Sequence, residues 1–378
     1  MPMIHAPAQH RIGHVAGVCI IAVFFLVDVA LSQPSTAARS LRVASGRLST
    51  QLKPLWKFKT GGPVVSSAVI ANGCVYIGSG DGYIYALRLN GGAKIWSFKT
   101  GDAVEAMPLL VNRLVIVGSA DGNLYALDAV TGKLRWKYRT EDKILGGANA
   151  APVRGSKGMR VVVGSYDNRV HCVDADTGRA VWTFETNNYV NGMPAISEEK
   201  VVFGGCDGIL YVINLVNGKK IRTIEIKDYI AGSAAVDGRH AYLGHYGNAV
   251  LCADVIDGKI VWTYRDRPFP FFSSPAVAAD RIVIGGRDRR VHCLNRKTGK
   301  MLWTFRTRGK VDSSPIICDG KVLIGSEDGR LYMLGLNDGR ERWSYEIGAP
   351  ILSSPSVSNG VVIVGANDGY VYAFGTAP

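Results

Sequence analysis

Aspartate, cysteine, histidine and serine recur in this chain at spacings that bear on chemistry. Asp81, Asp121, Asp167, Asp207, Asp288, Asp328 and Asp368 each stand three residues after a glycine, and Gly247 takes that place in one further copy. Converging carboxylates would bind calcium. These are strung out along the chain, so they read as turn-building Asx residues, whose side chain bonds its own backbone two residues on. Beyond Cys19 there are six cysteines: Cys74, Cys172, Cys206, Cys252, Cys293 and Cys318. No two are adjacent and no Cys-x-x-Cys occurs. Cys172, Cys252 and Cys293 fall at one repeated small position in three different repeats, well beyond the ~7 Å limit for bridging. Small buried thiols are expected, not disulfides. His171-Cys172 and His292-Cys293 put their side chains on opposite faces of a strand, so neither pair chelates zinc, and no metal site is expected. The Ser-Ser-Pro triplets at 273–275, 313–315 and 353–355 repeat too regularly to be nucleophiles, and no convergent histidine accompanies them.

The elements that carry these residues form a repeat. Gly78, Gly118, Gly164, Gly204, Gly244, Gly285, Gly325 and Gly365 head the same phrase, 40 residues apart except for 46 before Gly164 and 41 before Gly285. Such a period with strand patterning points to a β-propeller. In one copy Val311 to Ile316 reads as a short first strand, followed by Lys321 to Gly325, Arg330 to Leu334 and Glu341 to Tyr345. Turns at Cys318-Asp319-Gly320, Ser326 to Gly329 and Asn337 to Arg340 separate them, giving an antiparallel meander. The fold class is therefore all-β, an eight-bladed propeller of four-stranded antiparallel blades.

The third turn of each blade carries a second signature, small residue-x5-Gly-x3-Trp. It reads Ala86/Gly92/Trp96, Ala126/Gly132/Trp136, Cys172/Gly178/Trp182, Cys252/Gly258/Trp262, Cys293/Gly299/Trp303 and Met333/Gly339/Trp343; Val212/Gly218/Arg222 lacks the indole. An outer-strand tryptophan is expected to bury its area against the next blade. This spacing resembles the tryptophan-docking motif of the pyrroloquinoline-quinone (PQQ) repeat β-propellers, over residues 55–375. That family includes the quinoprotein dehydrogenases and the outer-membrane assembly factor BamB. The eighth motif begins at Ala373 and the sequence given stops at Pro378, while Trp56-Lys57-Phe58 stands alone at the other end. The N-terminal strand is therefore expected to complete the last blade, which covers two exposed edges.

Ahead of the propeller (55–378), the apolar run from Val15 to Val27 is too short to cross a ~30 Å hydrocarbon core. With Ala30-Leu31-Ser32 after it, the segment 1–32 reads as an export signal. An uncleaved anchor is the alternative, opposed by Asp28. Residues 33–54 read as a polar linker. The periplasm or cell envelope is the expected location, by way of membrane association if the N-terminus is retained. The formal charge of +13 is spread along the chain with no basic stripe, so no nucleic-acid partner is expected.

Two sets of residues are candidates for binding. Three residues before the Pro/Ala position of each inner strand, Glu105, Asn149, Asn191 and Asp312 supply polar groups to the channel, with a hydrated lining as the bland alternative. On the face of the second turns and crossovers, Tyr189, Tyr229, Tyr246, Arg265, Arg267, Phe269, Arg287 and Arg289 give the Tyr/Arg enrichment of protein-binding patches. The expected role is a non-catalytic, monomeric scaffold for an envelope protein, similar to BamB. The alternatives are a PQQ-dependent dehydrogenase and a glycan- or ligand-sensing propeller. The resemblance implies adjacent cysteines, calcium ligands and long insertions for a quinoprotein enzyme. This chain has no Cys-Cys pair and only a six-residue expansion around Gly155-Ser156-Lys157-Gly158, so no cofactor and no catalytic residue are expected.

Overall fold

Alternation of β-branched and aromatic residues between Gly-containing turns yields strands, and no other regular element among the described residues from Val43 onward. The structure is a computed structural model describing residues 41–155 and 158–376. The export signal read over 1–32 lies outside the described residues. Among the described residues no helix is long and apolar enough to cross a membrane.

Eight sheets succeed one another along the chain, each built on four antiparallel strands, one of them with a fifth, parallel strand at its edge. Blade 7 is representative, with Ile316–Cys318, Lys321–Gly325, Arg330–Gly335 and Glu341–Glu346. Its first strand begins at Ile316, so the stretch from Val311 to Pro315 is not part of the ladder. Pro315 has no N–H to give a ladder, and the two serines before it bond sideways. The Ser313 hydroxyl takes the Gly325 N–H of its own blade (3.2 Å) and donates to the Ser353 carbonyl of the next (3.0 Å). The Ser314 hydroxyl accepts the Ser274 N–H of the blade before (2.9 Å). Ser233, Ser274, Ser314, Ser354 and Ser67 continue this second bond from blade to blade. The Ser-Ser-Pro triplets are thus a belt around the channel.

The core lies between blades, not within them. Tyr76, Ile84 and Trp96 of blade 1 pack with Val104, Val115 and Tyr125 of blade 2, and the same composition recurs around the ring. Each tryptophan donates its indole N–H across the junction, as Trp96 does to the Ala129 carbonyl (3.1 Å) and Trp136 to that of Ala175 (3.0 Å). The ring lies on the motif glycine of the next blade. Gly132 has φ of +70°, and a Cβ there would sit 2.6 Å from the Trp96 ring, so the position admits only glycine.

Trp262 shows how completely this role withdraws the indole from solvent. It is 9% exposed and packs with Tyr242, Ile284 and Leu294 at the junction of blades 5 and 6. Its N–H donates to the Arg296 carbonyl (3.0 Å), and its ring covers Gly299. Trp262 is therefore a buried packing residue, its ring and N–H committed to the blade junction. As a motif position it belongs to the architecture and not to a binding site.

Closure follows the expected route. Lys53–Lys59 pairs antiparallel with Tyr370–Gly375, placing Trp56 opposite Ala373, and Trp56 donates to the Leu89 carbonyl of blade 1 (2.8 Å). The segment before it does more than link. Val43–Ala44 adds a short parallel strand to blade 7 beside Ile317 and Cys318. Leu48 and Leu52 are buried in the core between blades 7 and 8.

Candidate functional site

The second turns and the crossovers between blades share one face because they are bonded to each other. In blade 1 Thr100 of the outgoing crossover gives its N–H to the Gly82 carbonyl (2.8 Å). The turn aspartate fixes the incoming crossover as well. Asp81 accepts from its own Tyr83 N–H (2.9 Å), from the Tyr85 hydroxyl (2.7 Å) and from the Gly61 N–H (2.6 Å). Asp121, Asp207 and Asp328 repeat the arrangement with Tyr125, Tyr211 and Tyr332, and Asp167 does so with His171 (3.0 Å). These carboxylates build turns, as expected, and also clamp neighbouring blades. Burial alone would push Asp121 up; the Tyr125 hydroxyl and the backbone donors of Asn123 and Gly101 outweigh it and hold the group below the usual carboxylate range.

Blade 5 keeps a carboxylate but moves its source. With Gly247 in the turn, Asp228 of the incoming crossover swings into the vacated place; a Cβ on Gly247 would lie 2.0 Å from its Oδ2. Asp228 stands 3.6 Å from Nδ1 of buried His245, which accepts the Gly247 N–H (3.1 Å). Burial pulls His245 below its ordinary value, Asp228 opposing and Arg265 reinforcing the shift. Sequence reading missed Asp228; the loss of Asp at 247 was its only signal.

On this framework the two candidate sets meet at the channel mouth. Tyr166 and Tyr189 stack with ring centres 4.5 Å apart and planes 8° from parallel. Tyr229 meets Tyr246 edge-on at 5.8 Å, Tyr246 meets Phe272 at 4.3 Å, and the Arg287 guanidinium lies 3.7 Å above the Phe272 ring. Arg287 in turn grips Asp312 through Nε (3.0 Å) and Nη2 (2.6 Å). Tyr166 donates to Asn191 Oδ1 (3.1 Å), whose amide donates to the Ala231 carbonyl. Burial pushes the Tyr166 hydroxyl up to about 12, with Cys206, Tyr189, Glu105 and Tyr246 adding to the effect. Face residues and channel residues therefore form one arc across blades 3 to 7. Tyr229 is 54% exposed, and Tyr189, Tyr246 and Phe269 are exposed as well. Arg265, Arg267 and Arg289, on the blade 5–6 crossover and the blade 6 turn, are exposed.

Asn149 is elsewhere. It is fully buried in the strand Asn149–Pro152, its amide donating to the Pro194 carbonyl (3.2 Å) and its oxygen accepting the Ala150 N–H (3.0 Å). The channel position of blade 3 belongs to Leu145, which follows Ile144 as Glu105 follows Val104. Ile144 packs on Gly118 as Val104 packs on Gly78. The expansion of blade 3 lengthens its first hairpin and carries Pro152 out of register with the prolines of the other blades. Of the polar channel positions, Glu105 is the exposed one.

The six cysteines from Cys74 to Cys318 are unbridged. Burial raises the Cys172 and Cys252 thiols to about 12, so both are inert packing groups.

Residues 148–377 match a family model described as "Beta-alanine-activating enzyme, beta-propeller". Among curated proteins no match is found. Solved structures share the fold. BamB from Moraxella catarrhalis is 20% identical with a TM-score of 0.72, covering 86% of this chain and 98% of its own. The computationally designed Ika8 protein is 17% identical with a TM-score of 0.75, covering 85% and 99%. A europium-containing methanol dehydrogenase is 14% identical with a TM-score of 0.76, covering 90% and 96%. At these identities the likeness is one of fold alone.

Proposed function

We propose, from the premise that the chain belongs to the β-propeller family of the beta-alanine-activating enzyme, that it acts as a non-catalytic scaffold of the cell envelope whose channel-mouth arc docks a protein partner. Fold by itself does not assign a role. The observation that carries the reading is the aromatic arc from Tyr166 to Phe272, capped by Arg287 and left open to solvent at Tyr189, Tyr229 and Tyr246. Large rigid aromatics and arginines beside them are the residue types that dominate binding energy at protein interfaces. The likeness to BamB and the export signal read over 1–32 support an envelope location.

The arc does not suit a PQQ cofactor. A quinone bearing several carboxylates needs a cation inside the channel mouth, where Arg287 is held by Asp312 and Glu105 sets a negative charge near Tyr166. Added PQQ and calcium are expected to give no alcohol-dependent reduction of an acceptor dye, and robust turnover would overturn this part of the reading.

The scaffold role is tested by comparing partners captured from envelope extracts by wild type, by Arg267→Ala/Phe269→Ala and by Tyr229→Ala/Tyr246→Ala. A control pair, Val130→Ser/Lys219→Ala, alters the opposite face. The true partner is lost with both arc variants and kept by the control. If every partner survives the arc substitutions, the docking face is wrong.

A further inference from the structure

Blade 6 departs from the clamp described above in a way that creates a cluster of metal-ligand type. In blades 1, 2, 4 and 7 one oxygen of the turn aspartate takes an N–H from the incoming crossover: Gly61, Gly101, Asn187 and Arg308. In blade 3 the Glu141 N–H does the same for Asp167 (3.1 Å). The equivalent donor in blade 6 is the N–H of Arg267. That crossover is one residue longer and carries Pro268 and Pro270, with a tight turn in which Phe269 N–H bonds the Arg267 carbonyl (2.8 Å). Asp288 Oδ2 is consequently buried with no hydrogen-bond partner, in a side chain only 3% exposed. The nearest cation, Arg290 Nε, is 4.0 Å away, beyond hydrogen-bond reach.

In place of that N–H, the Asp266 carboxylate comes in. Ligand atoms of Asp266, Asp288 and His292 all lie within 4.8 Å of one another. His292 is fully buried, with Nε2 3.1 Å from Asp288 Oδ1 and Nδ1 3.2 Å from the Tyr264 hydroxyl. Gly286 leaves the space open: a Cβ there would sit 2.6 Å from Asp288 Oδ1 and 3.3 Å from His292 Nε2. Two carboxylates at this range, one of them with an oxygen left unbonded in the interior, favour a cation between them.

We propose that Asp266, Asp288 and His292 bind a divalent ion of the zinc class at the junction of the blade 5–6 crossover and the blade 6 turn. One imidazole and two carboxylates are a donor set for borderline first-row ions, and three protein ligands leave a fourth position for water. The ion takes the place of the proton that His292 otherwise shares with Asp288. The Nδ1–H then donates to the Tyr264 oxygen, the outer contact that orients a metal-bound imidazole. Bonds of about 2.1 Å put tetrahedral ligands about 3.4 Å apart, and Asp266, at the exposed end, supplies the freedom to close on the ion. Bound metal pins the crossover that carries Arg267 and Phe269. The inference stands without the docking reading, because it concerns only these side chains.

The test is calorimetric titration of zinc into the metal-stripped full chain. The wild type is expected to bind one ion. D266N, at an exposed residue with no role in the core, is expected to weaken binding at least about tenfold and to melt like the wild type without zinc. H292Q is expected to weaken binding likewise, and because it replaces a fully buried ring it also melts lower without zinc, so only its affinity is read. H171Q, which alters the matching His-Asp-Tyr set of blade 3 where the carboxylate is satisfied, keeps full affinity. Absence of zinc binding by the wild type, or equal binding by D266N, overturns the assignment.

Discussion

Trp343 donates its indole N–H to the carbonyl of Leu52 at 3.0 Å. Elsewhere the acceptor belongs to the third turn of the next blade, as Ala129 does for Trp96 and Leu336 for Trp303. Blade 8 has no third turn of its own, since its last strand comes from the other end of the chain. The segment ahead of that strand supplies the missing carbonyl, and with it Leu48 and Leu52 enter the core beside Trp343 and Phe374.

The blade 7–8 junction therefore depends on the N-terminal segment for its packing. Leu52→Ala is expected to cost about 2–3 kcal/mol, the lower part of the range for buried leucine, while leaving the backbone carbonyl in place. Urea denaturation of the full chain reads this as a lower midpoint with an unchanged slope. An unchanged midpoint would show that the junction closes without the segment.

Asn149 and Glu105, equivalent by the spacing of their prolines, are expected to behave oppositely. Asn149→Ala removes the buried amide that donates to the Pro194 carbonyl, at a cost of about 1–3 kcal/mol. Glu105→Ala is expected to change stability by less than about 0.5 kcal/mol, because Glu105 stands exposed at the mouth. Equal effects in the denaturation midpoint would contradict the register that places Leu145, not Asn149, at the channel.

Period and motif make the eight blades, the indole junctions and the Trp56 closure legible in the sequence, because each rests on local turn chemistry repeated many times. What sequence does not disclose lies where the repeat is broken and a contact passes between copies. Asp228 substitutes for an aspartate missing 19 residues downstream at Gly247, a replacement visible only once both sit on one face. The register of blade 3 is misread from sequence because Pro152 looks like the inner-strand prolines while the longer hairpin shifts it. The segment before Lys53 is polar enough to read as a linker, yet a two-residue strand and two buried leucines in it seat it against blades 7 and 8. The arc itself is half legible: its residues fall into two separate sets by sequence, and only the crossovers bring Arg287 to Asp312 and Tyr166 to Asn191.

His245 gives stability a pH dependence. Its folded pKa is lowered, chiefly by burial, below an unfolded value of about 6.5. Above that pH the imidazole is neutral in both states and contributes no slope. As pH falls through it, the unfolded chain takes up a proton that the folded chain refuses, so stability is lost toward the folded pKa. Denaturation midpoints at pH 7.5 and 5.5 should differ more for the wild type than for His245→Asn. If the two proteins lose stability in parallel, His245 is not the group responsible.

Arg222 occupies the one junction position where an indole is missing. Its aliphatic stem lies over Gly258, with Cδ 2.6 Å from where a Cβ would be, and its Nη1 reaches only weakly to the Asp257 carbonyl (3.4 Å). Everything else that a tryptophan needs is present: Gly258 has φ of +75°, and the Val255 carbonyl holds the place that Leu215 offers to Trp182. The guanidinium is exposed and buries little apolar area. Arg222→Trp is therefore expected to stabilise the chain by about 0.5–2 kcal/mol, the usual gain from filling a compatible site. The reading is a higher urea midpoint, with indole fluorescence shifted toward the blue on folding as the new ring leaves water. A lower midpoint would mean that the blade 4–5 junction is shaped for arginine, and that the break in the motif there serves something other than packing.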